Sequence, residues 1–137
     1  MLSKFFFSGI LFVSLFFMSA ELKAAPTITV TQTQLPAGQG DVNQRILLIN
    51  ITGSNGTLNT ISVTMNGTTS IANVSTVRIY ATGTSNRFAT TTLFGSITAA
   101  SGTLAITGTN TLVNGSNNYF WLAYDVVAGA TEGNVLD

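Results

Sequence analysis

The residues of this chain that could do chemistry are few, and they exclude most kinds of catalytic site. The 137-residue sequence has no histidine and no cysteine, so the usual ligands of zinc, copper and haem are missing. After residue 25 it also has no lysine. A serine or cysteine nucleophile paired with a histidine base is therefore excluded. We predict no catalytic, metal-binding or cofactor-binding residues, and hence no enzyme.

Four carboxylates remain after residue 25, at Asp41, Asp125, Glu132 and Asp137. Two carboxylates at a set separation suffice for glycoside hydrolysis. The last three lie close together around a glycine-containing loop, a setting in which calcium finds oxygen ligands. Neither pattern is specific, because the acids are scattered and no DxDxDG-type spacing is present. We expect all four to be turn and loop residues.

Three aromatic residues, Tyr80, Tyr119 and Trp121, are the candidate ligand-facing side chains. Exposed together on a sheet, their rings would form a surface for stacking against sugars. The competing interpretation places them in the core or in the cover of a sheet, which is the common position of tryptophan in β-sandwiches. We expect the Trp121 ring to be buried against the opposite sheet or among aliphatic neighbours, with its indole N–H bonded to a partner.

Five Asn-x-Ser/Thr triplets match the N-glycosylation acceptor pattern. A chain so rich in asparagine and threonine contains such triplets by chance, and three of them fall at predicted turns. We therefore interpret them as structural. They begin at Asn50, Asn55, Asn66, Asn73 and Asn114.

The element that must position the aromatic residues is the stretch 117–127, NNYFWLAYDVV. Its aromatic and β-branched residues favour a strand, and both of its faces are largely apolar, as in the central strand of a sandwich. Side chains alternate across a strand. One face therefore holds Phe120, Leu122, Tyr124 and Val126, and the other holds Tyr119, Trp121, Ala123 and Asp125.

Six further strands are predicted upstream from alternating or continuous apolar residues bounded by turn residues. The first reads as an edge strand, and Asn66-Gly67 predicts a β-hairpin. No segment after residue 25 has helical periodicity. Seven short strands predict an all-β fold, an antiparallel β-sandwich of immunoglobulin type. The six upstream strands span 27–34, 44–52, 58–66, 74–82, 88–97 and 102–108.

Residues 1–25 have the composition of a secretory signal peptide. Lys4 precedes an apolar run that ends before Glu21 and Lys23, which is short for the alternative of a membrane-spanning anchor. Cleavage is expected between Glu21 and Thr27. The sequence thus predicts one exported domain over 26–137, secreted or at the cell surface, with no membrane segment after cleavage.

Few charges remain in that domain. Three arginines and four carboxylates give 3 − 4 = −1 at neutral pH. Nucleic acid and anionic membranes attract proteins through clusters of basic residues. Residues 26–137 cannot build such a cluster, so a nucleic-acid partner is excluded.

Three stretches of the chain resemble a known module. They are NYFWLAYDVVAGATEGNVLD at 118–137, TLAITGTNTLVNGSNNYFWL at 103–122 and VSTVRIYATGTSNRF at 74–88. They resemble the N-terminal, BNR-associated domain of secreted bacterial BNR-repeat neuraminidases, which are sialidase-like proteins. The arginine triad, tyrosine nucleophile and S-x-D-x-G-x-T-W boxes of the sialidase propeller do not occur here.

The resemblance implies an accessory β-sandwich without catalysis, whose partners are neighbouring domains of a longer secreted polypeptide. It leaves two roles open, a structural or interaction module and a carbohydrate-binding module that serves a sialidase-like glycosidase. From the chain itself, the loop 128–134 is expected to lead into a strand that lies mostly beyond Asp137, so that the domain is truncated at its C-terminal end.

Overall fold

Seven strands and one 3-10 turn form the regular structure of residues 25–33, 35–53 and 55–136, which the computed structural model describes. The 3-10 turn is Ile71–Asn73. In these ranges no helix has the length and apolar character needed to cross a membrane. The strands are β1 (Thr27–Gln32), β2 (Gln44–Thr52), β3 (Gly56–Thr64), β4 (Val74–Gly83), β5 (Leu93–Thr98), β6 (Thr103–Leu112) and β7 (Asn118–Val126).

The strands form two antiparallel sheets that confirm the predicted all-β sandwich. The larger sheet has the order β1-β2-β7-β4-β5, and the smaller one consists of β3 and β6. β7 is the central strand, as its two apolar faces predict. At its midpoint Trp121 lies opposite Leu48 of β2 on one side and Tyr80 of β4 on the other. β1 is an edge strand, also as predicted.

The core lies between the sheets and follows the predicted alternation. From β7 it takes Phe120, Leu122 and Tyr124, each at most 1% exposed. Neighbouring strands bury their own alternate residues on the same inner face, so each aliphatic side chain gains about 1.5–3 kcal/mol from leaving water. The other strand residues of this core are Ile46, Ile49, Ile51, Ile61, Val63, Val74, Val77, Ile79, Ala81, Phe94, Leu104, Ile106 and Leu112.

A buried asparagine holds the connection from β6 to β7, which crosses from the smaller sheet to the larger. Asn118 is 2% exposed. Its Oδ1 accepts the N–H of Val113 at 2.7 Å, and its Nδ2 donates to the carbonyls of Val113 and Ser116 at 3.1 and 3.2 Å. Because these bonds satisfy the buried amide, the turn is fixed without a hydrophobic anchor.

The two sheets meet backbone to backbone along one side, where β5 crosses β6. A methyl group on Gly95 would overlap the carbonyl oxygen of Thr107, and one on Gly108 would overlap the carbonyl oxygen of Phe94. A glycine inside a strand often marks such a close approach. The sandwich is therefore closed on the β5–β6 side.

On the opposite side the sandwich is open. Ile28 and Val30 of β1 lie on the same face as the buried Ile49 and Ile51 of β2. Yet they are 61% and 57% exposed. In the described part of the chain the smaller sheet has only two strands, so nothing in it covers β1.

The structure corrects two predictions about the connections. Asn66 and Gly67 do form a turn, but β3 pairs with β6 rather than with β4, so the turn joins the two sheets and makes no hairpin. The strand predicted for 88–97 begins only at Leu93. Residues 84–92 form a loop instead, because Phe88 packs on the outer face of the larger sheet rather than continuing a ladder.

The C-terminal loop turns back along the domain. The N–H of Thr69 donates to the carbonyl of Val135 at 2.9 Å, and Leu136 packs against the core. Gln34, the last residue of the first predicted strand, and Asp137 lie outside the described residues, as do residues 1–24 with most of the predicted signal peptide.

The glycine contact yields a stability prediction. Gly95→Ala and Gly108→Ala should each lower the free energy of unfolding by about 1–3 kcal/mol or more, because the added methyl forces the two backbones apart. Gly129→Ala is the matched control, since its methyl would meet no atom within 4 Å and its effect should stay within about 0.5 kcal/mol. Denaturant unfolding measures all three. Equal midpoints for Gly95→Ala and Gly129→Ala would contradict the contact.

Candidate functional site

The outer face of the larger sheet carries most of the polar and aromatic residues of interest, and we call this group the outer-face cluster. It is built across three neighbouring strands. Arg45 of β2 and Arg78 of β4 both lie opposite Ala123 of β7, so two arginines flank one small, fully buried residue. The members of the cluster are Asn43, Arg45, Arg78, Tyr80, Phe88, Trp121 and Asp125.

The aromatic half of the cluster is covered by the loop 84–92. Phe88 meets the rings of Tyr80 and Trp121 edge to face, with centroids 6.1 and 5.7 Å apart. The Arg45 guanidinium carbon lies 5.6 Å from the Phe88 centroid and 5.9 Å from that of Trp121. Such aromatic pairs contribute about 0.5–1.5 kcal/mol each beyond their buried area. These contacts hold Phe88 over the sheet.

The polar half of the cluster is centred on Asp125, which forms an ion pair with Arg78. The Asp125 Oδ1 atom also accepts the N–H of Asn43 at 3.0 Å, and the Tyr80 hydroxyl donates to Asn43 Oδ1 at 2.7 Å. Asn43 has a φ of 56°, a left-handed conformation that asparagine tolerates better than most residues. The turn before β2 is thereby fixed to β7 and β4.

The ion pair sets the charge of both partners. Burial alone would raise the pKa of Asp125, but the hydrogen bonds from Arg78 and from the Asn43 N–H, together with the charge of Arg78, bring the pKa below its usual value. The hydrogen bond to Asp125 raises the pKa of Arg78. At neutral pH the pair is therefore fully charged.

The structure brings two of the three predicted aromatic residues together and buries them. Tyr80 and Trp121 are neighbours across β4 and β7, each 6% exposed. Trp121 is thus buried as predicted, but on the outer face under Phe88 and Arg45, and not against the opposite sheet. Tyr119 lies on the same face, opposite Asn50 of β2, and is only half-buried.

Two buried polar atoms on this face lack a hydrogen-bond partner among the described residues. They are the indole Nε1 of Trp121 and the Oδ1 of Asn50, so the predicted partner of the indole N–H was wrong. Leu48 lies opposite Trp121, and Asn50 is two residues further along β2. The unpaired donor and the unpaired acceptor are therefore diagonal neighbours on one face of the sheet.

Sequence reasoning missed Phe88, Arg45 and Asn43. The sequence pattern predicts a strand over 88–97 that includes Phe88, and the irregular register of β2 between Arg45 and Leu47 obscures the alternation of its side chains. A lone phenylalanine in a polar segment after Gly83 was the available signal for a loop that folds back on the sheet.

The carboxylates are dispersed, but the expectation that all of them lie in turns and loops was wrong for Asp125, which is a residue of β7. The Asp41 carboxylate accepts the N–H of Gly38 at 2.6 Å, Asp125 is paired with Arg78, and Glu132 is exposed in the C-terminal loop. Within the described ranges no three His, Cys, Asp or Glu side chains gather closely enough to hold a metal ion. The calcium hypothesis included Asp137, which lies outside these ranges.

Comparison with known families gives a match over nearly all of the described residues. The family model described as the N-terminal domain of BNR-repeat neuraminidase matches residues 25–136, which include every strand. No curated protein matches the chain.

The burial of Trp121, the only tryptophan, can be tested by mutation and fluorescence. Trp121→Ala should cost about 3–5 kcal/mol of stability, because it leaves a cavity beneath Phe88. Phe88→Ala is the paired variant. It should uncover the indole and shift the emission of the folded protein to longer wavelength. An unchanged unfolding midpoint for Trp121→Ala would place the ring outside the packed cluster.

The ion pair predicts a loss of stability in acid. Since the folded-state pKa of Asp125 is lowered, its contribution is complete above the unfolded-state pKa of about 3.9 and is lost as pH falls through the folded-state pKa. The unfolding midpoint should therefore drop less between pH 7 and pH 3 in Asp125→Asn than in the unmodified chain. Glu132→Gln, which removes an exposed carboxylate elsewhere, is the control. Equal drops in Asp125→Asn and the unmodified chain would show that the pair does not stabilise the fold.

Proposed function

The chain belongs to the family of the N-terminal domain of BNR-repeat neuraminidase, and from this premise we propose that it is a non-catalytic accessory module of a secreted or cell-surface multidomain protein. In this proposal the domain acts as a structural or interaction module. Its partners are the neighbouring domains of that polypeptide. The apolar run at residues 5–20, with Lys4 before it, supports export.

The observation that carries the non-catalytic role is the state of Asp125. It is the one acid of the outer-face cluster, and it is held as an anion by Arg78 and by the Asn43 N–H. A general acid in glycoside hydrolysis needs a raised pKa, and the pKa of Asp125 is lowered. The carboxylate supports the fold of the sheet surface rather than proton transfer.

A carbohydrate-binding role is the second candidate. Tyr119 is half-buried on the outer face, and within the described residues Arg45 has no carboxylate partner, only aromatic ones. A hydroxyl both donates and accepts hydrogen bonds. One sugar hydroxyl could bond to the Trp121 Nε1 and the Asn50 Oδ1, which have no partner among the described residues, only if the side chains that bury these two atoms moved aside. The cation would favour an acidic sugar.

A fluorescence and hydrolysis experiment separates these roles. Residues 26–137 are mixed with a fluorogenic sialoside and, separately, with sialyllactose or lactose. We expect no hydrolysis, and no change in Trp121 emission with either sugar, because Phe88 and Arg45 already cover the ring.

Two outcomes would overturn the proposal. Hydrolysis that disappears in Asp125→Asn would make the domain catalytic. A saturable emission change with sialyllactose, absent with lactose and lost in both Arg45→Gln and Tyr119→Ala, would establish the carbohydrate-binding role instead.

A further inference from the structure

An apolar groove of about 480 Å³ runs along the open side of the sandwich, between β1 and β3. Its floor is formed by the inner side chains of β1 and β2, and its wall by the edge of β3. None of the lining residues in the described part of the chain is charged. They include Ile28 and Val30 of β1, Ile49 and Ile51 of β2, and Gly67, which follows β3.

The wall of the groove is a strand edge. In the described part of the chain β3 pairs only with β6, so its other edge presents backbone N–H and C=O groups towards the groove. Such an edge is a template for a further strand. The groove thus combines a row of backbone donors and acceptors with an apolar floor.

We propose that this groove binds an extended peptide strand, which adds to the edge of β3 and places aliphatic side chains on Ile28 and Val30. Strand addition uses main-chain hydrogen bonds for affinity and alternate side chains for specificity. The inference rests on the proposed interaction role and names the surface that performs it.

The open side leaves one strand of the larger sheet, β1, without a facing strand in the described part of the chain. Neighbouring strands lie about 4.8 Å apart, and facing sheets about 10 Å. A strand added beside β3 would therefore lie over the first strand of the larger sheet that β3 does not cover. That strand is β1, because Ile49 and Ile51 of β2 are already 6% exposed, whereas Ile28 and Val30 are not covered.

The uncharged lining of the groove determines which side chains a bound strand can carry. A charged side chain directed into the groove would lose its hydration without gaining a partner, since no lining residue carries a charge. Valine, isoleucine or leucine at alternate positions would bury apolar area on both sides. The outward residues of the added strand stay in water, so threonine or serine suits them.

The chain that follows β3 pairs with the C-terminal loop close to this groove. Gly67 lines the groove, and two residues later Thr69 exchanges two hydrogen bonds with Val135. The Thr69 N–H donates to the Val135 carbonyl at 2.9 Å, and the Val135 N–H donates to Thr69 Oγ1 at 3.0 Å.

Peptide titration tests the inference. The probe is a blocked seven-residue peptide of alternating threonine and valine, added to isotope-labelled residues 26–137 and followed by amide chemical shifts and hydrogen exchange. We expect saturable binding that slows exchange along β3. Ile28→Thr with Val30→Thr should weaken binding at least tenfold. Leu93→Thr, the same kind of change at an exposed residue of β5, should leave it within twofold.

Two control peptides use the unmodified protein. A peptide of the same composition with its valines contiguous, and the alternating peptide N-methylated at every second residue, should both fail to bind. Equal binding of the methylated peptide would overturn strand addition. If the folded monomer does not bind the alternating peptide, strand addition is also overturned. The proposed non-catalytic role would not be affected, because the absence of sialoside hydrolysis tests it separately. Self-association that Ile28→Thr with Val30→Thr abolishes, without peptide binding, would assign the groove to a second copy of the chain.

Discussion

The close approach of Gly95 and Gly108 is the constraint on which the rest of the structure depends. It allows β5 and β6 to touch through their backbones, so the two sheets converge on that side. In the described part of the chain a two-stranded sheet faces a five-stranded sheet and cannot cover it completely. Because the two sheets touch at β5 and β6, the uncovered part of the larger sheet is on the opposite side. It lies at β1, whose Ile28 and Val30 remain exposed. The closed side and the open groove are thus consequences of one contact.

On the outer face of the larger sheet, β7 places the indole of Trp121 where water would reach it unless other side chains covered it. Phe88 and Arg45 cover that ring, and Arg78 neutralises the one carboxylate beside it. Because the cover consists of one loop residue and one long side chain, it is thinner than a packed sheet. Among the described residues the Trp121 Nε1 has no hydrogen-bond partner, and a buried donor without a partner lowers stability by about 1–3 kcal/mol.

Much of this fold could be predicted from the sequence, because period-two alternation determines which residues share a face. The inner residues Phe120, Leu122 and Tyr124 of β7 followed from it, and the central place of β7 and the edge position of β1 were also expected. The pairing of β3 with β6 could not be predicted, because Asn66-Gly67 favours a turn regardless of which strand follows in space. The cover of Trp121 was missed for a related reason. Phe88 acts through a contact 33 positions away in the chain, and local pattern carries no information about such contacts.

The two surfaces differ in what they offer a partner. On the outer face the backbone of β7 is paired on both sides and its polar side chains bond mostly to one another, so a ligand there must displace existing contacts. Along β3 the backbone groups of one edge face a groove without charge, and a peptide strand would displace only water. Binding costs least where the protein has made no contacts of its own, since no internal bond must be broken first. A ligand on the outer-face cluster would therefore have to displace more internal contacts than a peptide strand at the free edge of β3.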